Sequence, residues 1–290
     1  MAVMNKSVVE IIPTPDSRLY ALGDIHGCYD ALLALEKKIR DSVKRSGFKN
    51  FKIISVGDLC DRGPDTKKVI EHFVVGKQAN THEVVIGNHE MFFLMAFWGL
   101  RPDLLSRAGI KPQWFHHSFA SLYKSVNTQV EIWLGNGGDA VFKSYDADIN
   151  DKRTWDRIPS THLKLLFGAP LVVVTPKAVI SHAVIHELDL ESLIAADEAT
   201  LEKSERQVLE AVHRCLWERG LPGSRIDPKR RHISGHTPIE TVKRNLDLGT
   251  IQIDTGAVYG RRLTAINLMN FRCMGVPSGF AYKRAQRELY

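Results

Sequence analysis

Five short segments carry the residues best suited to chemistry. Gly23-Asp24-Ile25-His26-Gly27 offers a carboxylate and an imidazole, donors that suit zinc, iron or manganese, between glycines that let the backbone turn tightly. Taken alone, that pair is better explained by a turn residue and a surface polar group. The pattern returns, however, in Gly57-Asp58-Leu59-Cys60-Asp61-Arg62-Gly63, Gly87-Asn88-His89-Glu90, Ser181-His182-Ala183 and Gly235-His236-Thr237. A lone histidine at such a place is usually a satisfied core group. Asp24, His26, Asp58, Asp61, Arg62, Asn88, His89, His182 and His236, recurring after successive apolar runs, point instead to a metal centre.

The elements that must position these groups follow from periodicity. Residues 19–22, 51–56 and 83–86 read as buried strands, and each runs into one of the first three loops. Helices are expected over 31–43, with Leu32, Leu35, Ile39 and Val43 on one face, over 66–75, and over the apolar stretch 91–100. Strand, polar loop and helix repeated in order predict parallel strands joined by right-handed crossovers, with the loops converging at the strands' carboxyl ends. Further on, 171–174 and 178–180 predict a hairpin leading to His182, and 201–216 an amphipathic helix. Strands 250–253 and 263–268 flank Asp254-Thr255-Gly256, and these late strands predict a second sheet. Residues 101–157 lack clear periodicity; Trp133 and Gly135-Asn136-Gly137-Gly138 are expected in a cleft wall, with His116 and His117 as helix-surface groups.

Composition sets the class. A chain of 290 residues, 44% hydrophobic and 25% charged, is ordinary for one large globular domain or two small ones. The net charge of +6 favours anionic ligands but lacks the basic, aromatic-interleaved stripe of a nucleic-acid binder, so no nucleic-acid partner is expected. Cys28, Cys60, Cys215 and Cys273 lack CxxC spacing and read as reduced thiols of a cytoplasmic protein. Residues 1–16 lack the apolar h-region of a signal peptide and no apolar run is long enough to span a bilayer, so a membrane partner is not expected.

The five motifs in this order, between about residues 19 and 268, resemble the PPP family of calcineurin-like metallophosphoesterases. They are most similar to its bacterial and phage lambda-type serine/threonine protein phosphatases. The resemblance implies an α/β fold, an α-β-β-α sandwich of two mixed β-sheets flanked by helices with the metal site on loops at strand ends. The catalytic domain would span 19–270, between an N-terminal extension, 1–18, and a C-terminal tail, 271–290. It implies two divalent metal ions, expected to be manganese with iron and zinc as alternatives. Asp24 and His26 would ligate one ion, Asn88, His182 and His236 the other, and Asp58 both. Arg62, Asn88 and Arg219, the last from a Trp-x-Arg segment, would bind the substrate phosphate. A metal-bridging hydroxide would displace the leaving group in a single in-line step, with His89 as general acid oriented by Asp61.

The expected substrate is a phosphoprotein or phosphopeptide. Symmetrical diadenosine tetraphosphate hydrolases share the first loop, including Cys28-Tyr29-Asp30, but tend to lack the carboxylate at Asp61 and to carry Asp at Glu90. A binding module without turnover would be expected to have lost ligands. Val184 after Ala183 and the pair Arg261-Arg262 after Gly260 depart from the family pattern and bear on substrate preference. Asp254 reads as a turn carboxylate, and Cys60 as a small buried hydrophobe.

Overall fold

The computed structural model describes residues 8–12, 18–111, 126–195 and 205–282, so His116 and His117 lie outside the described residues. Its strands are β1 (Val9–Ile11), β2 (Arg18–Leu22), β3 (Phe51–Ser55), β4 (His82–Val84), β5 (Val172–Val174), β6 (Ala178–Ser181), β7 (Arg231–Ser234), β8 (Lys243–Asn245), β9 (Thr250–Gln252), β10 (Arg262–Asn267) and β11 (Cys273–Pro277). The helices used below are α1 (Tyr29–Arg45), α2 (Thr66–Gln78) and α3 (Asn88–Leu100).

Strand alternation builds the two layers. Leu19 and Ala21 of β2, Ile54 of β3, Ile180 of β6 and Ile233 of β7 point into one apolar layer between the sheets. Tyr20, Leu22 and Ile53 point the other way, into the core formed with the helices, where Leu32, Leu35, Ile39 and Val43 of α1 are buried on the expected face. One sheet has the order β11-β10-β2-β3-β4 and the other β1-β5-β6-β7-β9-β8, and both mix parallel with antiparallel pairs. This is the two-sheet α/β sandwich expected from the motifs.

Two expectations are corrected. The strand at 263–268 does not join the second sheet: as β10 it pairs antiparallel with β2, Ile266 opposite Ala21, and so closes the first sheet. The third strand begins at His82 and ends at Val84, because the Ile86 N–H turns away to the Pro170 carbonyl at 2.9 Å. Strands β1 and β11 lie outside residues 19–270 and complete the edges of the two sheets.

The strands β2, β3 and β4 are mutually parallel, as are β6, β7 and β9. Their carboxyl ends lead to Asp24, Asp58, Asn88, His182, His236 and Asp254, which is how six distant segments reach one edge of the sandwich.

Burial also makes the fold pH-sensitive away from this edge. His232 of β7 is buried against Ser181, whose Oγ donates to the Ala183 carbonyl and accepts the imidazole N–H at 2.7 Å. Burial, reinforced by nearby His186, pushes the His232 imidazole down to about 3. The unfolded chain therefore binds a proton that the folded chain refuses, and stability falls as pH drops from the ordinary histidine value near 6.5 toward 3. In chelator-treated protein, His232→Gln is expected to reduce this slope, by up to about 1.4 kcal/mol per pH unit. Urea titrations at several pH values check it; an unchanged slope refutes it.

Candidate active site

Five of the candidate residues lie in the left-handed region of backbone space: His26 (φ 44°), Asp58 (51°), Asp61 (71°), Arg62 (65°) and His236 (67°). Such backbone costs about 1–3 kcal/mol per residue and persists only where the surroundings enforce it. Glycines supply the remaining tight geometry. A Cβ on Gly57 (φ 101°) would lie 2.7 Å from the Gly87 nitrogen, and one on Gly235 would lie 2.0 Å from Asp24 Oδ1.

The hydrogen bonds determine which ring nitrogen of each histidine faces inward. His26 Nδ1 donates to the Cys60 carbonyl (2.7 Å) and His182 Nδ1 to the Val56 carbonyl (2.9 Å), so both present a bare Nε2 to the centre. His26 Nε2 lies 3.3 Å from Asp58 Oδ2, and His182 Nε2 lies 3.5 Å from Asp58 Oδ1 and 2.8 Å from Asn88 Oδ1. His236 Nδ1 also approaches Asn88 Oδ1, at 3.1 Å, while its buried Nε2 has no hydrogen-bond partner among the described residues. Burial pushes His182 down, and burial with His182 pushes His236 down to about 3; both favour the neutral form that can donate a lone pair.

The carboxylates carry the complementary signature. Burial works against an ionised Asp58, but His182, His89 and His26 outweigh it and hold the group well below the usual range. Asp24 is pushed up by burial, then by Asp254 and Asp58. Three carboxylates thus converge beside lone pairs that face oxygen acceptors. This donor set fits divalent cations: adjacent ligands of an octahedral ion at about 2.1 Å stand roughly 3 Å apart, close to the spacings around Asn88. One nitrogen or oxygen each from His26, Asp58 and His89, and from Asp24, Asp58 and His182, form two close clusters with Asp58 common to both.

His89 is held differently from the other histidines. Its Nδ1 bonds to Asp61 Oδ2, which also accepts the Trp133 indole N–H at 2.8 Å. Its Nε2 stands 4.0 Å from Asp58 Oδ2 and faces the centre. Burial pushes Asp61 up to about 7 against His26, Trp133 and Arg62, and pushes His89 down.

Arg62 is half-buried. Its backbone N–H donates to the Gly137 carbonyl (3.0 Å), its Nε to the Asn136 carbonyl (3.3 Å), and its Nη1 to His26 Nε2 (2.7 Å). Arg219 is exposed, near enough to His236 for its charge to lower that imidazole, and Trp217 packs edge-on to the His236 ring at 6.0 Å. Arg261 crosses Gly256, and Arg262 donates to the Gly275 carbonyl at 2.7 Å. Asp254 accepts the Gly256 N–H at 2.9 Å, as a turn carboxylate does, and Cys60 is wholly buried.

Two functional supports were missed by sequence reasoning. The sequence offers Glu90 only as a family marker, yet its carboxylate takes four backbone N–H groups, of Asp58 (2.7 Å), Leu59 (2.8 Å), Cys60 (3.1 Å) and Gly87 (3.0 Å). Trp133, expected in a cleft wall, is buried and donates its indole N–H to Asp61. The Glu90 position, at N3 after an Ncap glycine, is the available signal; for the Trp133 pairing there is none.

The fold, the converging loops and the donor set are those of a two-metal phosphoesterase. The chain belongs to the calcineurin-like phosphoesterase family, whose model matches residues 17–240. It is 28% identical over 273 residues to an asymmetrical bis(5'-nucleosyl)-tetraphosphatase of Anoxybacillus flavithermus, covering 90% of this chain and 94% of the relative. To serine/threonine-protein phosphatase 1 of Salmonella typhimurium it is 26% identical over 261 residues, 85% and 89% of the two chains. A symmetrical bis(5'-nucleosyl)-tetraphosphatase of Cellvibrio japonicus is 39% identical over 82 residues, so the chain spans only 28% of that relative. Among the described residues, no helix is long and apolar enough to cross a membrane.

Proposed function

We propose that this chain is a metal-dependent phosphomonoesterase acting on phosphoserine or phosphothreonine in proteins. The observation that carries the reading is the buried His89–Asp61–Trp133 chain beside Asp58. An alkoxide leaves poorly without a proton, whereas a nucleotide leaves a phosphoanhydride as an already stable anion. A positioned acid is therefore of most use on an alkyl ester.

Asp24, His26 and Asp58 would hold one divalent ion, and Asp58, Asn88, His182 and His236 the other, with manganese the expected metal. When bound, such ions activate water at neutral pH and offset charge on the phosphoryl oxygens. Arg62 and Arg219 bind those oxygens, Arg62 first leaving His26 Nε2. Asn88 turns its amide to the same group. His89 gives its proton to the leaving oxygen from Nε2, while Asp61, fixed by Trp133, holds Nδ1 and orients the ring. The scattered cysteines suit a cytoplasmic enzyme.

His89→Asn is expected to lower turnover of a phosphoserine peptide by about 10²–10⁴-fold and of para-nitrophenyl phosphate, whose leaving group needs no proton, by under tenfold. Equal losses on both would remove the acid role. The full-length similarity to the asymmetrical tetraphosphatase favours a second reading, hydrolysis of dinucleoside tetraphosphates. Parallel assays of manganese-loaded protein on a phosphopeptide and on diadenosine tetraphosphate, with products separated, decide between them. Faster release of mononucleotides than of peptide phosphate overturns the first reading.

A further inference from the structure

A second group of metal-ligating side chains lies at the opposite end of the first sheet from the phosphoesterase loops. His82 opens β4 at its amino end, Glu36 comes from α1 and His72 from α2. One ring nitrogen of each histidine and one Glu36 oxygen all lie within 4.8 Å of one another. Glu36 and His82 are buried, and the His72 side chain is 20% exposed.

The tautomer of His82 is fixed by its neighbours. The Thr81 hydroxyl donates to the Gly76 carbonyl at 3.1 Å, so its oxygen is an acceptor toward His82 Nδ1 at 2.9 Å. Nδ1 therefore carries the proton and Nε2 the lone pair, yet Nε2 is buried and, among the described residues, no group donates to it. The ring cannot back away, because its Nδ1 edge lies against α2 where a Cβ on Gly76 would stand 2.1 Å off. Across from it, edge-on at 5.0 Å between ring centroids, is His72, whose Nε2 meets Glu36 Oε2 at 2.7 Å. Arg40 holds the other oxygen, Oε1, at 3.0 Å.

We propose that Glu36, His72 and His82 form a structural site for a divalent zinc-like ion, separate from the phosphoesterase centre, that ties α1 and α2 to β4. One carboxylate and two imidazoles are a common three-residue zinc set, with the fourth position left to water on the exposed side of His72. Thr81 and Arg40 supply the supporting contacts that metal-binding histidines and carboxylates usually receive, orienting His82 and Glu36 respectively. Ligands about 2 Å from a tetrahedral ion stand roughly 3.3 Å apart, so His72 and Glu36 need to part by a few tenths of an ångström. The partly exposed His72 can make that adjustment. The site accounts for a buried lone pair that has no partner among the described residues, and it does not depend on which phosphate ester the enzyme cleaves.

The test uses the whole protein, stripped with chelator and dialysed against zinc alone, with bound metal counted per chain. His72→Gln and His82→Gln are each expected to bind a single ion fewer than the parent and to lose the part of the zinc-dependent rise in melting temperature that this site supplies. Para-nitrophenyl phosphate turnover with manganese should stay at the parent's level. Equal zinc content in parent and variants overturns the proposal. Should the variants fail to fold, modification of the unaltered protein by diethyl pyrocarbonate decides: zinc is expected to slow labelling of His72, mapped by mass spectrometry, about tenfold, and undiminished labelling overturns the site.

Discussion

Asp58→Asn is expected to reduce turnover of para-nitrophenyl phosphate by manganese-loaded protein at least about a thousandfold while leaving the fold intact. Asp58 is the carboxylate common to both ligand clusters, with Oδ2 facing His26 at 3.3 Å and Oδ1 facing His182 at 3.5 Å. The amide keeps an acceptor for the His89 backbone N–H, now at 3.1 Å. Its NH₂ can donate to the bare His26 nitrogen, so the loops remain joined. What disappears is the negative charge and the second acceptor that the two proposed ions would share. Metal ions supply several kcal/mol of transition-state stabilisation, and every 1.4 kcal/mol or so is tenfold in rate. Turnover within tenfold of the parent at an unchanged melting temperature would show that Asp58 does not join two catalytic ions.

Glu90→Ala is expected to be the most destabilising single change at this edge, by about 3–5 kcal/mol, with the melting temperature lowered by roughly 10 °C. The carboxylate holds four buried backbone N–H groups, three from the Asp58 loop and one from the Gly87 turn. Losing an acceptor leaves each donor with a desolvation penalty of about 1–3 kcal/mol, reduced where water enters. Burial and the neighbouring Asp58 push Glu90 up to about 7 in spite of those donors, so the group is already held at some cost. The same change frees the strained backbone at Asp58, so zinc or manganese affinity should fall with stability. Denaturant titration with metal analysis checks both; a variant within 1 kcal/mol or so of the parent would mean that other contacts hold these loops together.

The sequence by itself determined the local parts. Asp24, His26, Asp58, Asn88, His182 and His236 were legible because each follows a short apolar run, often through a glycine, and strand ends followed by tight turns are written in neighbouring residues. The buried face of α1 was legible for the same reason, since helical periodicity is local. Tertiary structure decided the pairings. That residues 263–268 would close the first sheet beside β2 depends on which edge was open, a choice between partners over two hundred positions apart in the chain. The Trp133 bond to Asp61 spans 72 positions, the Glu90 clamp reaches back 32 to Asp58, and Glu36, His72 and His82 come from three separate elements. Such contacts leave no period in the sequence, because one directed hydrogen bond needs one partner at the right place in space, whereas a strand or helix face needs a repeating pattern along the chain.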